Sequence, residues 1–291
     1  MLARPTNQHL PRPPIKGVDV SGNQPRVDWQ RARSDGVEFV IVKATEGVGY
    51  VDVKRSAFAT GARAAGIACG FYHYARPDTH SAGSPSAAVR DAEAEADAFL
   101  AVAAPAPGDL LPALDLEEAG LPPRRLVAWT RAWLGRVEER TGARPLLYTY
   151  PAFWARMGGS RAFGGYPLWI AHWEVTSPQL PPGWRSYAIW QYSSSGAVQG
   201  IPGRVDLNRL ADSLTLDDLT YRPAREEPRE QNLPGPVPKP AWFWLWLRWR
   251  LGTGEWEGLA GEESLRPDEA PERAPDWALE CERKLRAARA R

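Results

Sequence analysis

The stretch GVDVSGNQPRVDWQRARSDGVEFVIVKA, residues 17–44, holds a short apolar run, a polar segment and a longer apolar run. The outer parts, GVDV and FVIVKA, read as strands. Between them VDWQRARSDG reads as a helix that stops at Gly36, a residue suited to a C-cap. Strand, helix and strand in succession predict parallel neighbours in one sheet. The pattern continues with strand-like runs IACGFYHY (67–74), LLPALDL (110–116), PLLYTY (145–150), LWIAHW (168–173) and YAIWQY (187–192), then the shorter RVDL (204–207). Ala-rich or amphipathic segments separate the early runs. One of them, PPRRLVAWTRAWLGRVEERTG, spaces Leu126, Trp129, Trp133 and Val137 for a helix ending at Gly142, with both tryptophans assigned to packing. The later runs follow one another through short loops with no clear helix. The predicted fold is α/β: a closed barrel that loses its helices in the second half.

In such a barrel the chemistry belongs at the C-terminal ends of the strands. Acids end several runs: Asp19, Glu46, Asp115 with Glu117, and Asp206. LLPALDLEEAG, residues 110–120, is the most telling. Alternation along a strand puts Asp115 and Glu117 on one face and Leu114, Leu116 and Glu118 on the other. Two acids near one bond are the apparatus of glycoside hydrolysis, where one protonates the departing oxygen and the other meets positive charge at the sugar carbon. Glu117 has the longer reach and is the candidate acid; apolar walls and Asp115 would raise its pKa. Cα atoms two apart on a strand lie ~6.6 Å apart, so the carboxyl separations for retention and inversion both stay open. The plainer reading is an ion pair with Lys43 or an arginine. Lys43 and Glu46 themselves read as a structural pair at a strand end.

Composition narrows the classes. The 291 residues are 43% hydrophobic and 24% charged, enough for a sizeable core, and a net charge of +1 gives no footprint for nucleic acid. Cys69 and Cys281 read as free thiols, Cys69 in the core, and the histidines form no ligand motif. No metal and no cofactor are expected. The polar, proline-rich N-terminus lacks a secretory pattern, and no run approaches the ~20 apolar residues of a membrane span. Synthesis in the cytoplasm without stable membrane insertion is the expectation. The 14 tryptophans fit a core or a sugar platform.

The stretch 17–52, with ALDLE, LLYTY, LWIAHW and IWQYSSSGAVQGIPGRVDLNRL following in order, resembles the lysozymes of glycoside hydrolase family 25, the Chalaropsis-type muramidases. The resemblance covers about residues 16–212. It implies an irregular, TIM-like β/α barrel of five β/α units and three further strands. It also implies cleavage of the β-1,4 bond between N-acetylmuramic acid and N-acetylglucosamine in bacterial peptidoglycan, without a cofactor. Glu117 matches the family's general acid and Asp115 its partner carboxylate. Asp19 and Asp206 match the other two cleft acids. Asp115 is either a nucleophile or the group that steadies the substrate's own N-acetyl as it attacks, and the N-acetylated sugar favours the second. Two rival readings are a barrel that binds wall sugars without cutting them and a chitinase-like hydrolase.

Aromatic strand ends would complete the cleft: Tyr72 with Tyr74, Tyr148 with Tyr150, then Trp169, Trp190 and Tyr192, with Gln191 bonding a hydroxyl or acetamido group. His172 and Asn23 depart from what the family shows there. The predicted layout is a leader at 1–15, a catalytic barrel at 16–220, a proline-rich linker at 221–240 and a tail at 241–291. The tail's AWFWLWLRWRLG is read as a cell-wall-binding module or as packing. A wall hydrolase with such a tail and no secretory signal reads as a bacteriophage endolysin, with a prophage remnant or a bacterial autolysin as alternatives, acting as a monomer on the wall after release.

Overall fold

The computed structural model describes residues 13–77 and 84–223, all within a compact unit that runs to Arg225. Most of the sequence-predicted leader, nearly all of the linker and the whole tail, with Cys281, lie outside the described residues.

Five strand–helix pairs come first: β1 (Lys16–Val20) with α1 (Trp29–Ser34), β2 (Val37–Glu46) with α2 (Arg55–Ala64), β4 (Ala68–Tyr74) with α3 (Pro85–Ala103), β5 (Ala113–Asp115) with α4 (Pro123–Thr141), and β6 (Leu146–Thr149) with α5 (Pro151–Arg156). A two-residue strand, β3 (Tyr50–Val51), folds back on the end of β2. Three strands follow: β7 (Leu168–Ala171), β8 (Ile189–Val198) and β9 (Ile201–Leu210). From β2 through β4 to β8 every pairing is parallel, and β1 joins β2 in parallel. β9 runs the other way, antiparallel to β8 on one side and β1 on the other, and so closes the barrel.

Two expectations are corrected. The sheet is not wholly parallel, because β8 and β9 form a hairpin around Gly200 and that turn reverses the last strand. The second half is also not free of helix, since α5 follows β6 with a proline at its start. The strand expected over 110–116 shortens to Ala113–Asp115, and Leu110 pairs separately with Thr220. Gly142 caps α4 in the left-handed conformation (φ 71°), as its position predicts.

Alternation divides the side chains into two layers. Facing inward are Phe39, Ile41, Leu110, Leu146, Trp169, Ile189 and Leu210, all at 2% exposure or less. Burying each such side chain contributes about 1.5–3 kcal/mol. Gly17 leaves room for this interior: a Cβ there would lie 2.2 Å from the Phe39 ring. Outward-facing residues meet the helices, with Trp129, Trp133 and Phe99 fully buried and Cys69 nearly so. The apolar fill occupies the barrel's lower levels and gives way to carboxylates at the mouth.

Candidate active site

Each acid arrives by strand parity. Asp19 lies two residues beyond Gly17 on β1 and faces Asp206 in the β1–β9 ladder. Asp115 ends β5, and Glu117 follows just past it. Asp206 reaches the mouth from the middle of β9, not from a strand end, because that strand is reversed. The four acids predicted from sequence are thus brought together.

Their environment favours the protonated forms. Burial raises the Asp115 pKa well above the carboxylate range, and Glu117 and Asp19 push it further. One oxygen, Asp115 Oδ1, is buried without a hydrogen-bond partner. Asp19 is also raised well above its usual value, first by burial and then by Asp206. Its Oδ2 accepts hydrogen bonds from Asn208 Nδ2 at 2.7 Å and Gln191 Nε2 at 3.0 Å. Burial raises Asp206 as well. Glu117 is raised first by burial; the Tyr74 hydroxyl draws it down, Glu118 and Asp206 push it up, and Lys43 draws it down. No ion pair ties down Asp115 or Glu117 among the described residues; Lys43 binds Glu46 instead at 2.6 Å.

A cleft of 850 Å³ opens beside these acids, lined by Glu117, Tyr148, Tyr150, His172, Trp173 and Tyr192 among others. Tyr148 is nearly buried, and its hydroxyl donates to Gln191 Oε1 at 3.1 Å. Tyr150 stands at the cleft wall with its hydroxyl held by Arg156 at 2.9 Å. Tyr192 lines the outer flank while its ring leans on Trp190.

The other aromatic expectations fare differently. Tyr72 and Trp169 lie beneath the acids as floor, edge to face at 6.2 Å, and Trp169 Nε1 donates to Asn208. Gln191 is buried and holds Asp19 and Tyr148. Tyr74 gives its hydroxyl to Glu118 at 2.9 Å, so it serves the acids directly. Trp190 does not line the cleft. Its neighbour Gln191 points inward, so Trp190 must point out, where it packs on Arg209 at 4.8 Å and donates to the His172 carbonyl.

Glu118 also departs from expectation. β5 ends at Asp115, strict alternation stops there, and Glu118 turns back to Tyr74 and Arg76. Sequence reading passed over Trp173, which is 46% exposed and anchored by a hydrogen bond from Nε1 to Gln191 Oε1. It also passed over Asn208, although two-residue spacing from Asp206 marks it as inward.

The model for glycosyl hydrolases family 25 matches residues 18–201. This chain belongs to glycosyl hydrolases family 25. It is therefore a glycoside hydrolase. Among its relatives, "Lysozyme M1" of Streptomyces globisporus is 34% identical over 213 residues, covering 68% of each chain. An "N,O-diacetylmuramidase" of a Chalaropsis species is 37% identical over 218 residues, 68% of this chain and 99% of that one. The solved bacterial lysozyme of Streptomyces coelicolor superimposes with a TM-score of 0.64 at 32% identity, covering 71% of this chain and 95% of the other.

Proposed function

We propose that this family 25 enzyme is an N-acetylmuramidase that cleaves the β-1,4 bond between N-acetylmuramic acid and N-acetylglucosamine in bacterial peptidoglycan. The observation that carries the reading is the acid set Asp19, Asp115 and Asp206, the first two buried, beside Glu117, a cleft-lining carboxyl whose burial favours its neutral form. Relatives named lysozyme and muramidase support the substrate.

Glu117 gives its proton to the departing oxygen and later takes one from the incoming water. Asp115 Oδ1, unpartnered, accepts the N–H of the substrate's acetamido group while that group's oxygen attacks the sugar carbon. Positive charge then grows on the acetamido group and draws the Asp115 pKa back down, so the contact tightens as the bond breaks. Asp19 and Asp206 supply negative potential beneath. The Tyr148 and Tyr150 faces and Trp173 offer platforms for the C–H faces of the sugars.

The tail, outside the described residues, is proposed as a wall-binding module joined by the proline-rich linker. Host-wall lysis driven by a phage is the proposed setting. Mass analysis of digested, borohydride-reduced peptidoglycan tests the activity. Reduced muramic acid ends are expected; reduced glucosamine ends, or cleavage of chitin in preference to peptidoglycan, would overturn it.

A further inference from the structure

Tyr74 ends β4 between two cations, with Lys43 Nζ 4.6 Å and the Arg76 guanidinium 5.1 Å from its ring centre. Glu46 ties the cations together, taking Lys43 at 2.6 Å and Arg76 Nη2 at 2.6 Å. On its other side Arg76 pairs with Glu118, the carboxylate that accepts the Tyr74 hydroxyl. Arg76 is fixed at its backbone too, since its N–H donates to Glu95 Oε2 at 3.1 Å. Glu95 is fully buried against His73 Nε2 at 2.7 Å, and His73 Nδ1 meets Thr45 Oγ1 at 2.8 Å. This chain of contacts begins in the barrel wall and ends one residue from the proposed proton donor.

A phenol has one O–H and can serve one carboxylate at a time. Two candidates flank Tyr74, and their circumstances differ. Glu118 is part exposed and paired with Arg76, so its charge is cheap. Glu117 is partly buried beside other carboxylates, where the neutral form is favoured. We propose that Tyr74, Glu118 and Arg76 form a positioning relay for Glu117. The Tyr74 hydroxyl rests on Glu118 while Glu117 holds its proton, then turns to Glu117 once that proton has passed to the departing sugar oxygen. The relay rests on Glu117 being the proton donor, as proposed above. It moves a hydrogen bond and no proton of its own: the only proton transferred is the one Glu117 gives. A charge-assisted bond waits for the newly formed carboxylate, in a place where an unpaired charge would be costly.

Pairwise effects agree with this arrangement. The Tyr74 hydroxyl favours the charged form of Glu117, and Glu118 favours the neutral one. Beyond these, Lys43 and Glu46 face the pair from β2, Asp115 from β5 and Asp206 from β9. Tyr50, on β3, lies 5.5 Å from Lys43. Tyr148 stands on β6, its hydroxyl held by Gln191.

The test is the pH profile of kcat/KM on a soluble tetrasaccharide muropeptide, using the full chain. The alkaline limb reports the loss of the Glu117 proton. Glu118→Gln weakens the competing acceptor, so Tyr74 stays on Glu117 and the limb should move down by about one unit. Tyr74→Phe removes the donor and should move the limb up. The deciding comparison is Glu118→Gln made in the Tyr74→Phe background, where its shift should shrink to the part that the Glu118 charge exerts on Glu117 directly. An equal shift in both backgrounds would reduce Glu118 to a distant charge, and no shift in either would leave Tyr74 and Arg76 as scaffolding; both overturn the relay. Glu117→Gln run alongside separates the two proposals, because a folded, fully active Glu117→Gln enzyme removes the proton donor itself. Glu118 is part exposed, so its substitution spares the fold, and circular dichroism of each variant confirms this.

Discussion

Asp19 faces Asp206 across the antiparallel β1–β9 ladder, and Asp19 takes hydrogen bonds from both Asn208 and Gln191. Burial raises both acids, and Asp206 pushes the buried Asp19 further up. For a raised acid the folded state binds protons the unfolded chain has released, so its stability is present below the unfolded pKa and is lost as pH rises through the folded one. The contribution of this pair to stability should therefore fade as pH climbs above about 4. Asp19→Asn keeps an oxygen for both amide donors and removes the charge. Its melting curve should be flatter with pH and higher than the parent's at pH 8. A parallel pair of curves in scanning calorimetry would contradict this.

Glu117→Gln keeps the shape of the proton donor and cannot supply a proton at neutral pH. Turnover should fall by about 10²–10⁴-fold with the fold intact. Clearing of wall suspensions, with a matched thermal scan, measures both. A folded variant with near-full activity would remove the assignment.

Asp115→Asn should lower turnover far more than it weakens muropeptide binding, because its contact tightens only as charge develops. Asp19→Asn added to it should cost less than it does alone, since acids of one cluster act as a unit. Rates of the two single variants and the double variant decide it; fully multiplicative losses would separate the two acids.

Trp173→Ala should raise KM for polymeric glycan with little change in kcat or melting temperature. The side chain is half exposed, and its one hydrogen bond orients it over the cleft. Unchanged KM on both polymer and short muropeptide would remove Trp173 from the binding surface.

Deleting residues 224–291 should leave cleavage of soluble muropeptides unchanged while binding to intact sacculi falls. Sedimentation with purified walls reads the binding. Retained pelleting would count against the tail as a wall-binding module.

The barrel was legible because apolar runs such as FVIVKA and LLYTY are buried on both faces, and residues in that position leave continuous hydrophobic text. The acids were legible because they interrupt such text at Asp115 and Asp19. What stayed hidden depended on direction. Nothing in RVDL says that β9 is reversed, so Asp206 was taken for a strand end when it lies mid-strand. Trp190 was misjudged for want of parity, since it and Gln191 are neighbours and cannot both face inward. Glu118 was misjudged by applying parity too far, past the residue where β5 stops. Periodicity alone missed α5, the helix of the fifth β/α unit that the resemblance implied, because its six residues are too few for a periodic signal.

The ring is closed by the first and last strands of the barrel, which brings Asp19 beside Asn208 although they are 189 positions apart. A nascent chain on the ribosome therefore carries Asp19, Asp115 and Glu117 long before Asp206 exists. Until β9 has emerged and docked, the barrel has an open seam and Asp19 lacks its amide donor from Asn208. Seam closure joins distant parts of the chain and is expected to be a late, slow step in folding. The acid cluster is therefore complete only once β9, the last strand of the barrel, has docked against β1.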